Sequence, residues 1–300
     1  MERNYYEKIK EEFINCEVYK KVKDYSKNRK ELETYYNVGK LLIEAQGGEA
    51  RAKYGNELIK EYSLKLSYDL NKNYDITTLK RTRQFYLLIQ KGATLWHQLT
   101  WSHYRLLLPI KNINEINYYV KIVKEQNLSV RELRNKIKNK EYERLPIKTK
   151  NKLIVKENLD VTDFVKNPII INTNGKEIIS EKYLKTIILE NIEDFLKELG
   201  PDFSFIGSEY TIKVGSTYNY IDLLLFNIEY NCYVVVELKV TELKKEHVGQ
   251  IKFYMNYIDR NVKKVNNNKT IGIIVCKKDN QYVINYYTDE KIFATKYIQN

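Results

Sequence analysis

The run Tyr233-Val234-Val235-Val236, leading straight into Glu237-Leu238-Lys239, constrains the fold more than any other part of the chain. Successive strand residues face opposite ways, so an unbroken apolar run leaves no side for water and demands a central strand covered on both faces. The surrounding sequence supplies what such a sheet needs. EKYLKTIILENIEDFLKELG sets Leu184, Ile188, Ile192, Phe195 and Leu199 on one helical stripe, and Gly200-Pro201 stops it. FSFIGSEYTIKV and YIDLLLFNI read as strands ahead of the central one. After it come a helix over about Lys245 to Ile258, then TIGIIVCK, QYVINYY and a short segment near Ile292 to Tyr297, all three read as strands.

The first half has helical periodicity instead. Helices are expected over residues 5–22 and 31–46, closed by Gly47-Gly48, and then over about Glu49 to Leu70. A polar turn, Asn71 to Asp75, precedes ITTLKRTRQFYLLIQ, where Ile76, Leu79, Phe85 and Leu88 can face a core while Lys80, Arg81 and Arg83 face outward. Helix, turn and basic helix suggest a helix-turn-helix; an ordinary bundle with a solvated basic face has the same spacing. Further helices are expected over about Trp96 to Leu108, over Ile113 to Lys124, and from Ser129, which with Glu132 forms a capping-box pattern. From Pro146 to about Ser180 the periodicity fades, which reads as a linker with a short docked segment at Phe164 to Ile171. The expected architecture is a two-domain α+β/α/β chain. Residues 1–145 form an all-α, helix-turn-helix-like domain, residues 146–180 a linker, and residues 181–300 an αβ core with a mixed central sheet.

Charge divides along the same line. The net charge of +12 comes from 10 basic against 10 acidic residues in 1–50, 21 against 9 in 51–150, and 20 against 20 in 151–300. Compositional bias toward Lys, Asn, Ile and Tyr would raise lysine everywhere. It does not confine the excess to one hundred-residue stretch, which favours a polyanion-binding surface carrying Arg51, Lys80, Arg81, Arg83, Arg131 and Arg134. Cys16, Cys232 and Cys276 are isolated and suggest neither disulfides nor a zinc site. The polar start MERNYYEKIKEEF and the absence of a membrane-length apolar run lead to the expectation of a cytoplasmic chain with no membrane partner.

Asp222, Glu237 and Lys239 carry the chemistry. Metal-assisted phosphodiester cleavage needs carboxylates for the ion and a cation to orient the nucleophile or offset transition-state charge. Glu237 and Lys239, two apart on a strand, share one face. Asp222 lies within the apolar segment Tyr220 to Phe226, where a carboxylate is costly without compensation. A salt bridge at a strand end with Asp222 capping a turn is the plainer explanation, and it would suffice for a lone Glu-x-Lys. Order adds weight: an Asp strand, a connection through Asn227 to Asn231, an apolar strand ending in Glu-x-Lys, then a helix.

At this point the chain resembles a known family. ELG at Glu198 to Gly200, FSFIG at Phe203 to Gly207, YIDLLLF around Asp222, VVVELK around Glu237, Gly249-Gln250 with Phe253-Tyr254, and IGIIVCK from Ile271 are similar to the nuclease domain of the bacterial YhcG-type family, within the PD-(D/E)xK nuclease superfamily. ARAKYG at Ala50 to Gly55, RQFY at Arg83 to Tyr86, QLTWSHY at Gln98 to Tyr104 and VREL at Val130 to Leu133 resemble that family's N-terminal domain. The resemblance covers nearly the whole chain. It implies a restriction-endonuclease-like core in which Asp222, Glu237 and the backbone carbonyl of Leu238 bind Mg²⁺ or Mn²⁺, Lys239 positions the attacking water, and Gln250 has an accessory role. DNA is the implied substrate ahead of RNA. Two departures stand out: Lys185 where an acid is expected after Leu184, and Glu209 where Gln is expected. Glu181 and Glu209 are therefore the candidates for an additional metal-side carboxylate.

The remaining signals are weaker. His97, His103 and His247 lack the neighbours of a metal site, Trp101 and Tyr104 suit a core as well as base stacking, and no GxxxxGK[ST] supports a nucleotide-driven motor. Symmetric duplex cleavage would favour a homodimer, though no heptad signals one. The expected function is a metal-dependent endonuclease acting on branched, mobile-element or foreign DNA. Its rival is a non-catalytic nucleic-acid-binding or adaptor protein that keeps a nuclease fold.

Overall fold

The computed structural model describes residues 5–21, 27–48, 56–92, 99–155, 157, 161–173, 175 and 177–299. Two compact units emerge, Met1–Tyr142 and Glu143–Asn300. The first contains α1 (Tyr5–Lys21), α2 (Lys27–Ala45), α3 (Asn56–Asp69), α4 (Ile76–Gln90), α5 (Trp101–Leu107), α6 (Ile113–Glu125) and α7 (Val130–Lys138). The helices α8 (Glu141–Arg144) and α9 (Ile147–Val155) follow. Residues 49–55 and 93–98, with Arg51 and His97, lie outside the described residues.

The helical unit closes around Ile9 and Phe13 of α1, Val38 and Leu42 of α2, Ile59 and Leu66 of α3, and Leu79 of α4. Gly39 allows α2 and α4 to approach closely: a Cβ there would meet the Tyr86 Cβ at 2.8 Å and press into the Thr82 carbonyl. Phe85 stacks edge-on against Trp101 and Tyr104, so these aromatics serve the core. His103 is structural too. Its ring closes a capping box with Thr100 and contacts the Leu128 carbonyl oxygen at 3.1 Å, and burial lowers its pKa. The expected box at α7 is present, with Ser129 Oγ accepting from the Glu132 N–H and Glu132 Oε2 accepting from the Ser129 N–H.

The second unit is built on a six-stranded mixed sheet of order β1-β6-β5-β4-β3-β2 among the described residues. Its strands are β1 (Ile169–Ile171), β2 (Phe203–Val214), β3 (Thr217–Asn227), β4 (Cys232–Glu242), β5 (Asn268–Lys278) and β6 (Ile292–Gln299). Strands β2, β3 and β4 pair antiparallel, while β4, β5, β6 and β1 run parallel. Helices α10 (Glu181–Glu190) and α11 (Ile192–Leu199) cover one face through Leu184, Ile188, Phe195 and Leu199, which pack with Val234 and Val236. Helices α12 (Lys245–Asn261) and α13 (Gln281–Tyr287) cover the other through Val248, Ile251, Ile258 and Val283, which pack with Val235. The unbroken apolar run thus has a direct structural cause: adjacent valines of β4 enter different cores.

Three elements differ from expectation. QYVINYY is helix α13 rather than a strand, because Asn280 caps its first turn by accepting from the Val283 N–H and only Val283 is buried. Tyr282 and Tyr286, exposed, stack on one another one helical turn apart. The single helix expected over 181–199 divides at Asn191, which ends α10 and starts α11. Residues 146–180, read as a linker, carry α9, a 3₁₀ turn at Val161–Phe164 and strand β1, which pairs with β6 inside the expected docked segment. Long-range bonds hold this stretch. Arg144 pairs with Glu198 and donates to the Pro168 carbonyl at 2.8 Å, while Glu198 Oε1 accepts from the Ile170 N–H at 2.9 Å. No described helix is long and apolar enough to cross a membrane.

Candidate active site

The site forms where β3 and β4 part. Their ladder runs from Asn227 with Cys232 to Leu223 with Val236, and one step further brings Asp222 opposite Glu237. There a side chain replaces a main-chain partner: Asp222 Oδ2 accepts from the Leu238 N–H at 2.9 Å. Asp222 is therefore an integral strand residue and caps no turn. Glu237 and Lys239 project to the same side, with Lys239 Nζ 2.8 Å from Glu237 Oε1, and Glu181 at the start of α10 reaches Lys239 Nζ at 3.5 Å.

Burial makes this cluster electrostatically tense. Glu237 is 2% exposed, and desolvation with the neighbouring Asp222 charge raises its pKa to about 7 despite the Lys239 ammonium. Asp222 is also raised, by desolvation first, against the Leu238 hydrogen bond and the charges of Lys185 and Lys239. For Lys239, burial alone would lower the pKa; the Glu237 hydrogen bond and the charges of Glu237, Glu181 and Asp222 outweigh it and raise it. Glu237 Oε2 is buried and lacks a hydrogen-bond donor. An acceptor left without a donor at such depth is unfavourable and marks a place where a cation would be welcome.

Helix α12 lines the same side. Gln250 is half-buried and donates from Nε2 to the Tyr254 hydroxyl at 3.0 Å, and Tyr254 is raised in pKa by burial and by the charges of Glu237 and Asp222. His247 is depressed, first by burial and then by the Lys239 charge. Both lie within a turn of Gln250, and that spacing is the available signal for them in the sequence.

The two departures meet each other. Lys185 Nζ lies 2.7 Å from Glu209 Oε1 and 3.6 Å from Asp222 Oδ1. Glu209 thus pairs with a lysine, which lowers its pKa, and Lys185 stands beside the catalytic candidate Asp222. Among the described residues no three His, Cys, Asp or Glu side chains converge as a metal cage. The available hard donors are Asp222, Glu237 and the main chain, and the orphaned Glu237 oxygen suits a divalent ion that takes oxygen ligands.

The basic candidates are distributed unevenly. Arg131 and Arg134 are exposed one turn apart on α7, with Lys138 exposed one turn further. Lys80 and Arg81 are half-exposed on α4. Arg83, expected to face outward, is instead half-buried and donates to Gln46 Oε1 at 3.1 Å, with its pKa lowered by burial. The reason is the close packing of α4 along α2.

Residues 162–300 match the family model described as the YhcG PDDEXK nuclease domain, and residues 15–144 match the DUF1016 N-terminal domain. YhcG of Escherichia coli (strain K12) is 26% identical over 283 residues, spanning 81% of this chain and 76% of that protein. Among solved structures, a repair endonuclease from Pyrococcus abyssi aligns at a TM-score of 0.30 and 22% identity, over 40% of this chain and 48% of that one. EndoMS in its dsDNA2 complex aligns at 0.29 and 19%, over 42% and 47%. The chain spans about half the length of each of these two structures.

Proposed function

The chain belongs to the YhcG-type PD-(D/E)xK nuclease family, a DUF1016 N-terminal domain preceding the nuclease domain, and on that footing we propose that it is a metal-dependent DNA endonuclease. The observation that carries the metal-dependent reading is the buried Glu237 Oε2 without a donor, on the same face as Asp222 and Lys239. Asp222, Glu237 and the Leu238 carbonyl would hold Mg²⁺ or Mn²⁺. The ion, when bound, supplies positive charge at the scissile phosphate and makes water a competent nucleophile near neutral pH. Lys239, fixed by Glu237 and Glu181, orients that water and offsets charge on the phosphoryl oxygens. Gln250 assists from α12, kept in place by Tyr254.

Holding the substrate falls to the helical domain in this reading. Arg131, Arg134, Lys80 and Arg81 supply phosphate contacts, Arg83 contributes through its half-buried guanidinium, and Arg51 belongs to the same basic stretch. Helices α3 and α4 with their turn remain the helix-turn-helix candidate. The preference for DNA over RNA follows from the family resemblance. A symmetric cut of a duplex would call for two copies of the chain, and a cytoplasmic location suits the composition.

One observation favours a second reading, a non-catalytic nucleic-acid-binding module: the Lys185 ammonium beside Asp222 could substitute for a metal permanently. Cleavage of linear, nicked and branched DNA in Mg²⁺ or Mn²⁺ separates the two. Wild type should cut, and Asp222→Ala and Lys239→Ala should each lose at least about 100-fold, the scale of removing one group that stabilises transition-state charge. Absence of cleavage by wild type would favour the second reading, and equal cleavage by Asp222→Ala would overturn the assignment of the chemistry to this site.

A further inference from the structure

Asp222 is the middle of a row. Ser208 pairs with Leu223 and Tyr210 with Ile221, which sets Glu209 across from Asp222 on one side, as Glu237 lies across from it on the other. Three carboxylates on adjacent strands repel one another unless cations intervene. Two do. Lys185 bridges Glu209 and Asp222, and Lys239 bridges Glu237 and Glu181.

The Lys185 bridge is built rather than incidental. Its side chain is only 14% exposed, although Lys182, Thr186 and Glu190 of the same helix are exposed. Glu209, its partner, adopts φ +48°, a left-handed conformation that a glutamate rarely takes and that must be held by its surroundings. Asp222 then has both oxygens engaged, Oδ2 by the Leu238 N–H and Oδ1 by the ammonium. Carboxylate oxygens accept more than one partner, so room remains for a cation shared with Glu237. On the Glu209 side the approach is occupied by positive charge.

Resting on the metal-dependent reading above, we propose that Lys185, anchored by Glu209, is a fixed counter-cation that restricts this site to a single divalent ion. Charge balance agrees. Among the groups in ion-pair contact, the carboxylates of Glu181, Glu209, Asp222 and Glu237, once all ionised as cation binding requires, face the ammonium groups of Lys185 and Lys239, a net of minus two that one divalent ion neutralises. A second ion would have to displace the ammonium or share Asp222 with it.

The test is a Mn²⁺ titration of the full-length protein, read by the electron paramagnetic resonance signal of free Mn²⁺ and by calorimetry. Sites are counted as those that disappear in Asp222→Ala. Wild type should hold one such ion. Lys185→Glu should bind a second, and Lys185→Met, which keeps the side-chain volume if the acidic variant fails to fold, should bind the first about tenfold tighter. Glu209→Gln, which frees the ammonium to turn onto Asp222, should weaken it by about tenfold. Two ions in wild type, or variants that match wild type in both number and affinity, would overturn the role given to Lys185 while leaving the site itself intact. No Asp222-dependent ion in wild type would overturn the metal-dependent reading together with it.

Discussion

Glu237 carries a defined pH signature. Its carboxyl is raised from an ordinary 4.5 to about 7 in the folded protein, so the neutral form is the one the fold accommodates. The folded and unfolded chains bind the same proton below about pH 4.5; between there and about pH 7 the unfolded chain ionises first, and stability is lost as the pH rises. In chelator-treated protein the melting temperature should therefore fall from pH 5 to pH 8, and Glu237→Gln should flatten that fall. An identical pH profile in the variant would mean that Glu237 is not the group responsible. The residue scale is also where the sequence is most readable. Asp222, Glu237 and Lys239 stand out because charged groups inside apolar strands need a compensating reason, and strand alternation places the last two on one face. Lys185 and Glu209 are visible only as exceptions to a family pattern. Their pairing spans 24 residues of chain and follows from how α10 lies on the sheet against β4, from where the Lys185 side chain reaches Asp222 of β3 and Glu209 of β2.

At the scale of elements, packing decides what periodicity leaves open. Helices α2 and α4 depend on Gly39: a methyl group there collides with the Thr82 carbonyl and Tyr86, and overpacking of this kind costs about 1–3 kcal/mol. Calorimetry of Gly39→Ala should show that loss, and a variant as stable as wild type would mean the helices separate freely. The same close packing turns Arg83 inward, against the outward-facing basic pattern of its helix. Helix α13 shows the converse. Its aromatic and β-branched composition favours a strand, but a single Asn280 cap and one buried residue, Val283, suffice for a short helix. The stretch 146–180 has no legible period because its order comes from afar. Arg144→Ala leaves Glu198 without its charge partner at 14% exposure, and breaking a buried pair costs about 3–5 kcal/mol. Protease cleavage within residues 146–171 should accelerate in that variant. Unchanged cleavage would show that β1 and α9 hold without the pair.

For the whole molecule, the excess positive charge resides in residues 51–150 and the candidate chemistry in the second unit. If α7 neutralises phosphates, replacing Arg131 and Arg134 with Glu should reduce the slope of log K against log salt by about two, one unit for each phosphate left without its arginine. Binding measured by fluorescence anisotropy over a salt series checks this, with Asp222-dependent metal binding as the control that the second unit is intact. An unchanged slope would make this basic face solvated surface.

What the sequence determined by itself was whatever short-range physics enforces. Alternation and unbroken apolarity specified a two-faced central strand, cap and stop signals at Gly47, Ser129 and Gly200 marked three helix ends, and uncompensated charge within apolar segments pointed to Asp222, Glu237 and Lys239. Tertiary structure alone decided which distant groups share that charge: Lys185 with Glu209 and Asp222, Glu181 with Lys239, Arg144 with Glu198. The reason is physical. Periodicity records which side of an element is dry, but the identity of a buried ion's partner depends on the crossing of elements far apart in the chain, and no local pattern encodes that.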